Sequence, residues 1–308
     1  MTVAFLFPGQ GSQFVGMMAD IRAQEPSFRA RMQEASDALD LNLDRIVAEG
    51  PDDRLAATAI AQPALLASSV ALYEVWAERA GHAPALAAGH SLGEYSALTA
   101  GGVFKFADAV RLVHERGVAM QAAVSEGQGL MAAILGLELD AIAEVCEATK
   151  GVVSPANLNA PGQVVISGET RAVERAIDGC KNAGAKRTFP LNVSVPSHCA
   201  LMAPAVPRIA RVLESLPMQA ARFPIYHNLA ATISPNVEGI RTRLRDQLVS
   251  PVRWSESVGA MLQAGVTKFV ECGPGTVLSG LSRRINRRVP VVSMGSASGL
   301  ASVVEEHA

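Results

Sequence analysis

The chain has 308 residues, 49% hydrophobic and 18% charged, with a formal net charge of −2. A chain this long buries roughly three quarters of the surface its unfolded form exposes, which suits one large domain or one domain carrying a smaller insertion. Near-neutral charge gives no general attraction for nucleic acid or a membrane surface, so neither is expected as a partner and electrostatic recognition falls to local patches.

Val3 to Phe7 reads as a short buried strand followed by the turn Pro8-Gly9-Gln10-Gly11. It is too short for a signal peptide and has no basic start. Residues 55–73 are uncharged but carry Thr58, Gln62-Pro63, Ser68 and Ser69, which predicts a buried helical pair and not a membrane span. Pro63 is expected to open a helix through Leu66, Val70, Tyr73 and Trp76, with Gly81 stopping it. Leu86 to His90 is a second strand, turning at once into a helix through Ser91-Leu92-Gly93-Glu94. Strand, tight turn, helix, repeated, predicts a mostly parallel sheet covered by helices.

The middle of the chain changes character. Met131 to Leu135, Val152 to Asn157, Val164 to Ser167 and Arg187 to Val193 read as strands, with helices over Leu139 to Ala148 and Arg171 to Ala183. The order βαββαβ is that of a ferredoxin-like unit. Later strands are expected at Phe223 to Tyr226, Thr267 to Glu271 and Val289 to Ser293, and a frayed tail from Ser302. The architecture predicted is α/β. A large α/β-hydrolase-like domain with a mostly parallel sheet, residues 1–123 and 198–308, carries an inserted ferredoxin-like α+β subdomain, residues 124–197. The cleft between them is the expected ligand site. Cys146, Cys180, Cys199 and Cys272 are scattered, with no CxxC pair or clustered metal spacing, which predicts reduced thiols in a cytoplasmic protein.

Gly89-His90-Ser91-Leu92-Gly93 fits GxSxG where a strand meets a helix. A strained turn there pushes a serine hydroxyl out, and the new helix aims its free N–H groups at a developing oxyanion. A nucleophilic serine needs a base, and there are six histidines: His82, His90, His114, His198, His227 and His307. His198 is placed best, where the inserted unit rejoins the large domain, and His227 stays open as an alternative. Arg116 has no acid three or four residues away, yet on local grounds it reads as a solvated helix arginine. Gln10 likewise reads as a turn residue and Gln247 as an exposed helix end.

Phe7-Pro8-Gly9-Gln10-Gly11-Ser12-Gln13, Gly89-His90-Ser91-Leu92-Gly93-Glu94-Tyr95, Arg116-Gly117 with Met120-Gln121, Pro161 to Gly168, Val195 to Met202 and Glu271-Cys272-Gly273-Pro274-Gly275 occur in this order. Together they resemble the malonyl-CoA:acyl carrier protein transacylases, the loading enzymes of bacterial fatty acid synthesis. The resemblance implies that Ser91 is the acylated serine and His198 its general base. It further implies that the backbone N–H groups of Gln10 and Leu92 form the oxyanion hole, that Arg116 grips the malonyl carboxylate, and that the backbone carbonyl of Gln247 orients the histidine. The partners implied are malonyl-CoA and an acyl carrier protein, with no metal or redox cofactor. Carrier proteins are acidic, so Lys181, Lys186 and Arg187, with Arg283, Arg284, Arg287 and Arg288, form a candidate docking rim. The rival readings are a discrete acyltransferase of a polyketide or malonate decarboxylase system, a serine esterase or thioesterase, and a non-catalytic carrier-binding scaffold.

Overall fold

The computed structural model describes residues 2–80, 82–191, 193, 195–234 and 236–306. Its strands, in chain order, are β1 (Val3–Phe7), β2 (Leu86–Gly89), β3 (Gly129–Leu135), β4 (Val153–Ala160), β5 (Gln163–Glu169), β6 (Arg187–Pro190), β7 (Ile225–His227), β8 (Thr232–Ile233), β9 (Lys268–Glu271) and β10 (Val291–Ser293). They form two sheets, β10-β9-β1-β2-β7-β8 and β4-β5-β3-β6.

The larger sheet is parallel except for its last pair, β7 with β8. Helices cover both faces, so its central strand can be apolar at every position. In β1, Phe5 and Phe7 join the layer that holds Tyr73 and Trp76, while Ala4 and Leu6 join Trp254, Val258 and Phe269 on the other side. Parallel pairing also brings the C-terminal ends of neighbouring strands together. Phe7 pairs with Gly89 and Ala88 with Tyr226, so the Gln10 turn, Ser91 and Asn228 emerge side by side.

The smaller sheet is wholly antiparallel. Its strands and the helices Leu139–Ala148 and Thr170–Asn182 follow the expected βαββαβ order. Those helices pack on the face carrying Ala132, Ile134, Val164 and Ile166. The opposite face carries Met131, Ala133, Ala156 and Val165, with Leu191 and Val193 against it. Main-chain bonds tie β4 to the larger part of the molecule: Val252 N–H donates to Ala156 O at 2.8 Å, and Leu158 N–H to Val252 O at 2.9 Å.

Two expectations are corrected here. Residues 55–73 do not form a helical pair opened at Pro63. One helix, Thr58–Ala80, runs through the proline, after a short helix Asp52–Ala56. Pro63 has no N–H for the carbonyl of Ala59 one turn back, and His114 Nδ1 donates to that carbonyl instead, at 2.8 Å. Gly81, the expected stop, lies outside the described residues. The tail is also ordered further than expected, as a helix over Ala297–Glu305 with Leu300 and Val303 buried and Glu306 paired with Lys268.

Candidate active site

Ser91 sits between β2 and the helix Leu92–Ala100 with φ 51° and ψ −108°. A positive φ in a residue other than glycine is strained, at a cost of about 1–3 kcal/mol. The flanking glycines are dictated by contact. A Cβ on Gly89 would lie 1.9 Å from Gly93 C and O, and one on Gly93 would lie 1.9 Å from Phe7 O. The strained turn is held on both sides: Ser91 N–H donates to Asn228 Oδ1 at 2.7 Å, and Gln247 Nε2 donates to Ser91 O at 3.1 Å.

His198 Nε2 lies 2.7 Å from Ser91 Oγ, and its Nδ1 lies 2.9 Å from Gln247 O. A carbonyl only accepts, so Nδ1 carries the ring proton and Nε2 is left to accept the serine's. Burial, then the charge of Arg116, push the imidazole down to about 3, against the opposing pull of the Gln247 carbonyl. The pair is therefore a neutral base bonded to a hydroxyl, as nucleophilic attack requires.

Arg116 is not the solvated helix residue its neighbours suggest, being only 1% exposed. Nη1 donates to Gln62 Oε1 at 2.8 Å, while Nη2 donates to Gln247 Oε1 at 3.0 Å and lies 3.4 Å from Ser91 Oγ. The guanidinium stands over the Tyr95 ring at 5.2 Å, and its Nε is buried with no hydrogen-bond partner. Burial lowers its pKa, while Tyr95 and Glu94 act the other way. Its neutral partners leave a dry cation beside the Ser91 hydroxyl, a setting that favours an anion. Gln247 is likewise buried, not an exposed helix end.

The cavity over Ser91 measures ≈ 100 Å³ and is lined by Gln10, Leu92, Arg116, Met131, Leu191 and His198 among others. That is well below the roughly 300 Å³ at which drug-sized pockets begin, and it suits a small acyl group. Larger surface grooves of ≈ 560 and ≈ 510 Å³ lie around Arg31 and Arg222 and contain no serine–histidine pair. Among the described residues no cluster of three or more His, Cys, Asp or Glu is placed to hold a metal ion. No helix among them is long and apolar enough to cross a membrane.

The other histidines serve elsewhere. His90 Nε2 bonds Asn159 Oδ1 at 2.8 Å, and His114 holds the Ala59 carbonyl. His82 packs edge-on against Trp76, and His307 lies outside the described residues. His227, left open above, is 1% exposed and donates through Nδ1 to Glu94 Oε1 at 2.6 Å, behind the serine's helix. Sequence reasoning missed Glu94, Asn228 and Gln62. One signal was present: Glu94 is the lone charge between His90 and Lys105, in an otherwise small and apolar run.

The acyl transferase domain family matches residues 4–294. The malonyl CoA-acyl carrier protein transacylase of Escherichia coli K12 is 51% identical over 304 residues, 98% of each chain. That of Bacillus subtilis 168 is 42% identical over 306 residues, 98% of this chain and 96% of its own. Among solved structures, an acyl carrier protein S-malonyltransferase from Vibrio cholerae superposes with a TM-score of 0.96 at 48% identity, covering 98% of this chain and 100% of the other. A malonyl-transacylase in complex with a type II PKS acyl-carrier protein gives 0.98 at 48% identity, covering 99% and 100%. Likeness of this extent, end to end and in three dimensions, places the chain in the acyl transferase family.

Proposed function

We propose that the chain moves malonyl groups from malonyl-CoA to the phosphopantetheine thiol of an acyl carrier protein through an ester on Ser91. The observation that carries this reading is the buried Arg116 guanidinium 3.4 Å from Ser91 Oγ, its Nη1 and Nη2 groups donating to the amide oxygens of Gln62 and Gln247 and not to a carboxylate. A malonyl group differs from an acetyl group by the one carboxylate such a cation would bind. The names of the relatives support the same substrate and carrier.

In the first half-reaction Ser91 Oγ attacks the thioester carbonyl while its proton passes to His198 Nε2. The Gln10 and Leu92 N–H groups hold the oxyanion, the C–S bond breaks, and coenzyme A leaves with that proton. In the second, the carrier thiol gives its proton to His198 and attacks the ester. Collapse returns the proton to Ser91 as the thioester departs. The Gln247 carbonyl keeps His198 in the required tautomer throughout. No step calls for a metal or redox cofactor.

For the division of the chain we propose the boundaries drawn from its sequence, residues 124–197 as an insert in 1–123 and 198–308; the smaller sheet's strands all fall within that insert. The carrier's landing site is proposed on the basic rim. Lys181, Lys186, Arg187, Arg283 and Arg284 are exposed, and Arg284 Nη1 bonds Gln163 Oε1 at 2.8 Å. Gln163 pairs with Leu135 and Leu135 with Arg187, so both basic groups border one end of the smaller sheet. An acidic partner would be steered there. A cytoplasmic location fits such a partner. The complex with a type II PKS carrier protein also favours a second reading, the same chemistry with a polyketide carrier.

Intact mass after addition of malonyl-CoA tests the function. The wild type should gain one malonyl unit and lose it to a carrier protein, whereas a thioesterase would release malonate without accumulating the ester. Ser91→Ala should gain nothing, and His198→Ala should acylate about 10²- to 10⁴-fold more slowly. A malonyl unit mapped to another residue would refute the mechanism.

A further inference from the structure

Behind the serine lies a carboxylate that the mechanism above does not use. Glu94, in the first turn of the serine's helix, is 1% exposed and does not line the cavity. It accepts three hydrogen bonds, from His227 Nδ1 at 2.6 Å, the Asn228 N–H at 2.9 Å and Gln247 Nε2 at 2.8 Å. Two of these donors are the residues that hold the strained serine. Asn228 takes the Ser91 N–H on its Oδ1 and donates through Nδ2 to Gly89 O at 2.6 Å, and Gln247 holds Ser91 O.

The chemistry of the carboxylate sets a direction. An ionised carboxylate only accepts, so it draws the NH2 end of the Gln247 amide towards itself. The other end, Oε1, must then face outward, where it receives Arg116 Nη2 at 3.0 Å. An amide turned the other way would present N–H groups to a guanidinium, donor against donor in a dry site, an arrangement that costs both groups a partner. The main chain of the same residue supplies the carbonyl on His198 Nδ1. A misplaced Gln247 therefore disturbs the nucleophile, the base and the cation together.

We propose that Glu94 is the positioning acid of this site: through Gln247 and Asn228 it holds the strained serine and aims Arg116 at the acyl group's carboxylate, and so helps set acyl-group selectivity without touching substrate. This rests on the malonyl-transfer reading. His227 completes the assembly by occupying the carboxylate's second oxygen.

The test is the ratio of kcat/KM for malonyl-CoA to that for acetyl-CoA. Glu94→Leu removes the acceptor and should lower activity on both substrates. It should also lower the ratio about 10-fold, as expected for residues coupled in one hydrogen-bond network. Glu94→Gln, which can still accept from Gln247 while His227 takes its other tautomer, should restore the ratio to within a few-fold of wild type. In an Arg116→Ala background, Glu94→Leu should change the ratio no further. If Glu94→Leu does not fold, Gln247→Met cuts the same chain one link on, keeps the carbonyl on His198, and should lower the ratio alike. Equal loss on both substrates, or an unchanged ratio in Gln247→Met, overturns the proposal. A wild-type enzyme that takes no malonyl unit by mass overturns the malonyl reading as well, which separates the two failures.

Discussion

Arg116 and His198 face Ser91 from two sides of one cavity, and their charges are coupled. Arg116 is the second cause, after burial, of the depressed pKa of His198, which lies at about 3. The imidazole is therefore neutral, and able to take the serine's proton, well below the value near 6.5 of a free histidine. On the proposed malonyl reading, a carboxylate bound to Arg116 would offset the guanidinium and raise the basicity of His198 as substrate arrives. Two results should follow from Arg116→Ala. Removing the cation raises the His198 pKa, so the acid limb of kcat/KM moves to higher pH. The malonyl-to-acetyl ratio should fall about 10-fold or more, roughly 1.4 kcal/mol. Arg116→Lys should recover little of the ratio, because a point charge cannot reproduce the planar fork. Profiles with both thioesters from about pH 3 to 8 check this, kcat/KM reporting the free enzyme. An unmoved acid limb with equal loss on both substrates would make Arg116 a packing residue only.

At the scale of elements, the helix Phe106–Ala123 reaches the site because it crosses close to the start of Thr58–Ala80. Gly117 allows that approach: a Cβ there would lie 2.6 Å from Ala59 Cα and 2.7 Å from Thr58 O, both main-chain atoms that no rotamer change can move. The neighbouring His114 fills the hydrogen bond that Pro63 leaves open on Ala59. The proline is tolerated inside a helix because a second helix supplies the missing donor. Gly117→Ala should push the two helices apart, costing about 1–3 kcal/mol as overpacking does. Arg116, the adjacent residue, would be displaced with its helix. The expected outcome is a lower Tm together with a reduced malonyl-to-acetyl ratio. A fall in Tm with the ratio intact would show that Arg116 is placed independently of this contact.

For the whole molecule, the same buried histidines link stability to pH. His198 and His90 both have native pKa values lowered by burial. Between the unfolded value near 6.5 and the native one, the unfolded chain binds protons that the folded chain refuses, so stability drops as pH falls through that window. Glu271 has the opposite sign, since burial raises its pKa and favours the native protonated form in acid. A comparison of two proteins that both keep Glu271 isolates the histidine. Denaturant midpoints of the wild type should fall between pH 7 and about pH 4 more steeply than those of His198→Gln, which has no proton to gain there. Parallel slopes for the two proteins would mean that His198 does not carry this dependence.

The amino-acid sequence alone determined the features written within a few residues. β1, the βαββαβ unit and the turn at Ser91 follow from apolar runs and from the glycines at 89 and 93, because strand period and turn chemistry are local properties. Tertiary structure decided what depends on partners far apart in the chain. Arg116 meets Ser91 across 25 positions, His227 meets Glu94 across 133, and Gln247 meets Ser91 across 156. Parallel strand pairing puts the Gln10, Ser91 and Asn228 turns side by side, and only then do these side chains touch. The contact of His198 with Ser91, the burial of Arg116 and Gln247, and the continuation of a helix through Pro63 were decided there. In each case a distant donor or acceptor outweighed the preference that the neighbouring residues express, since a buried polar group is stable only with its partner in place.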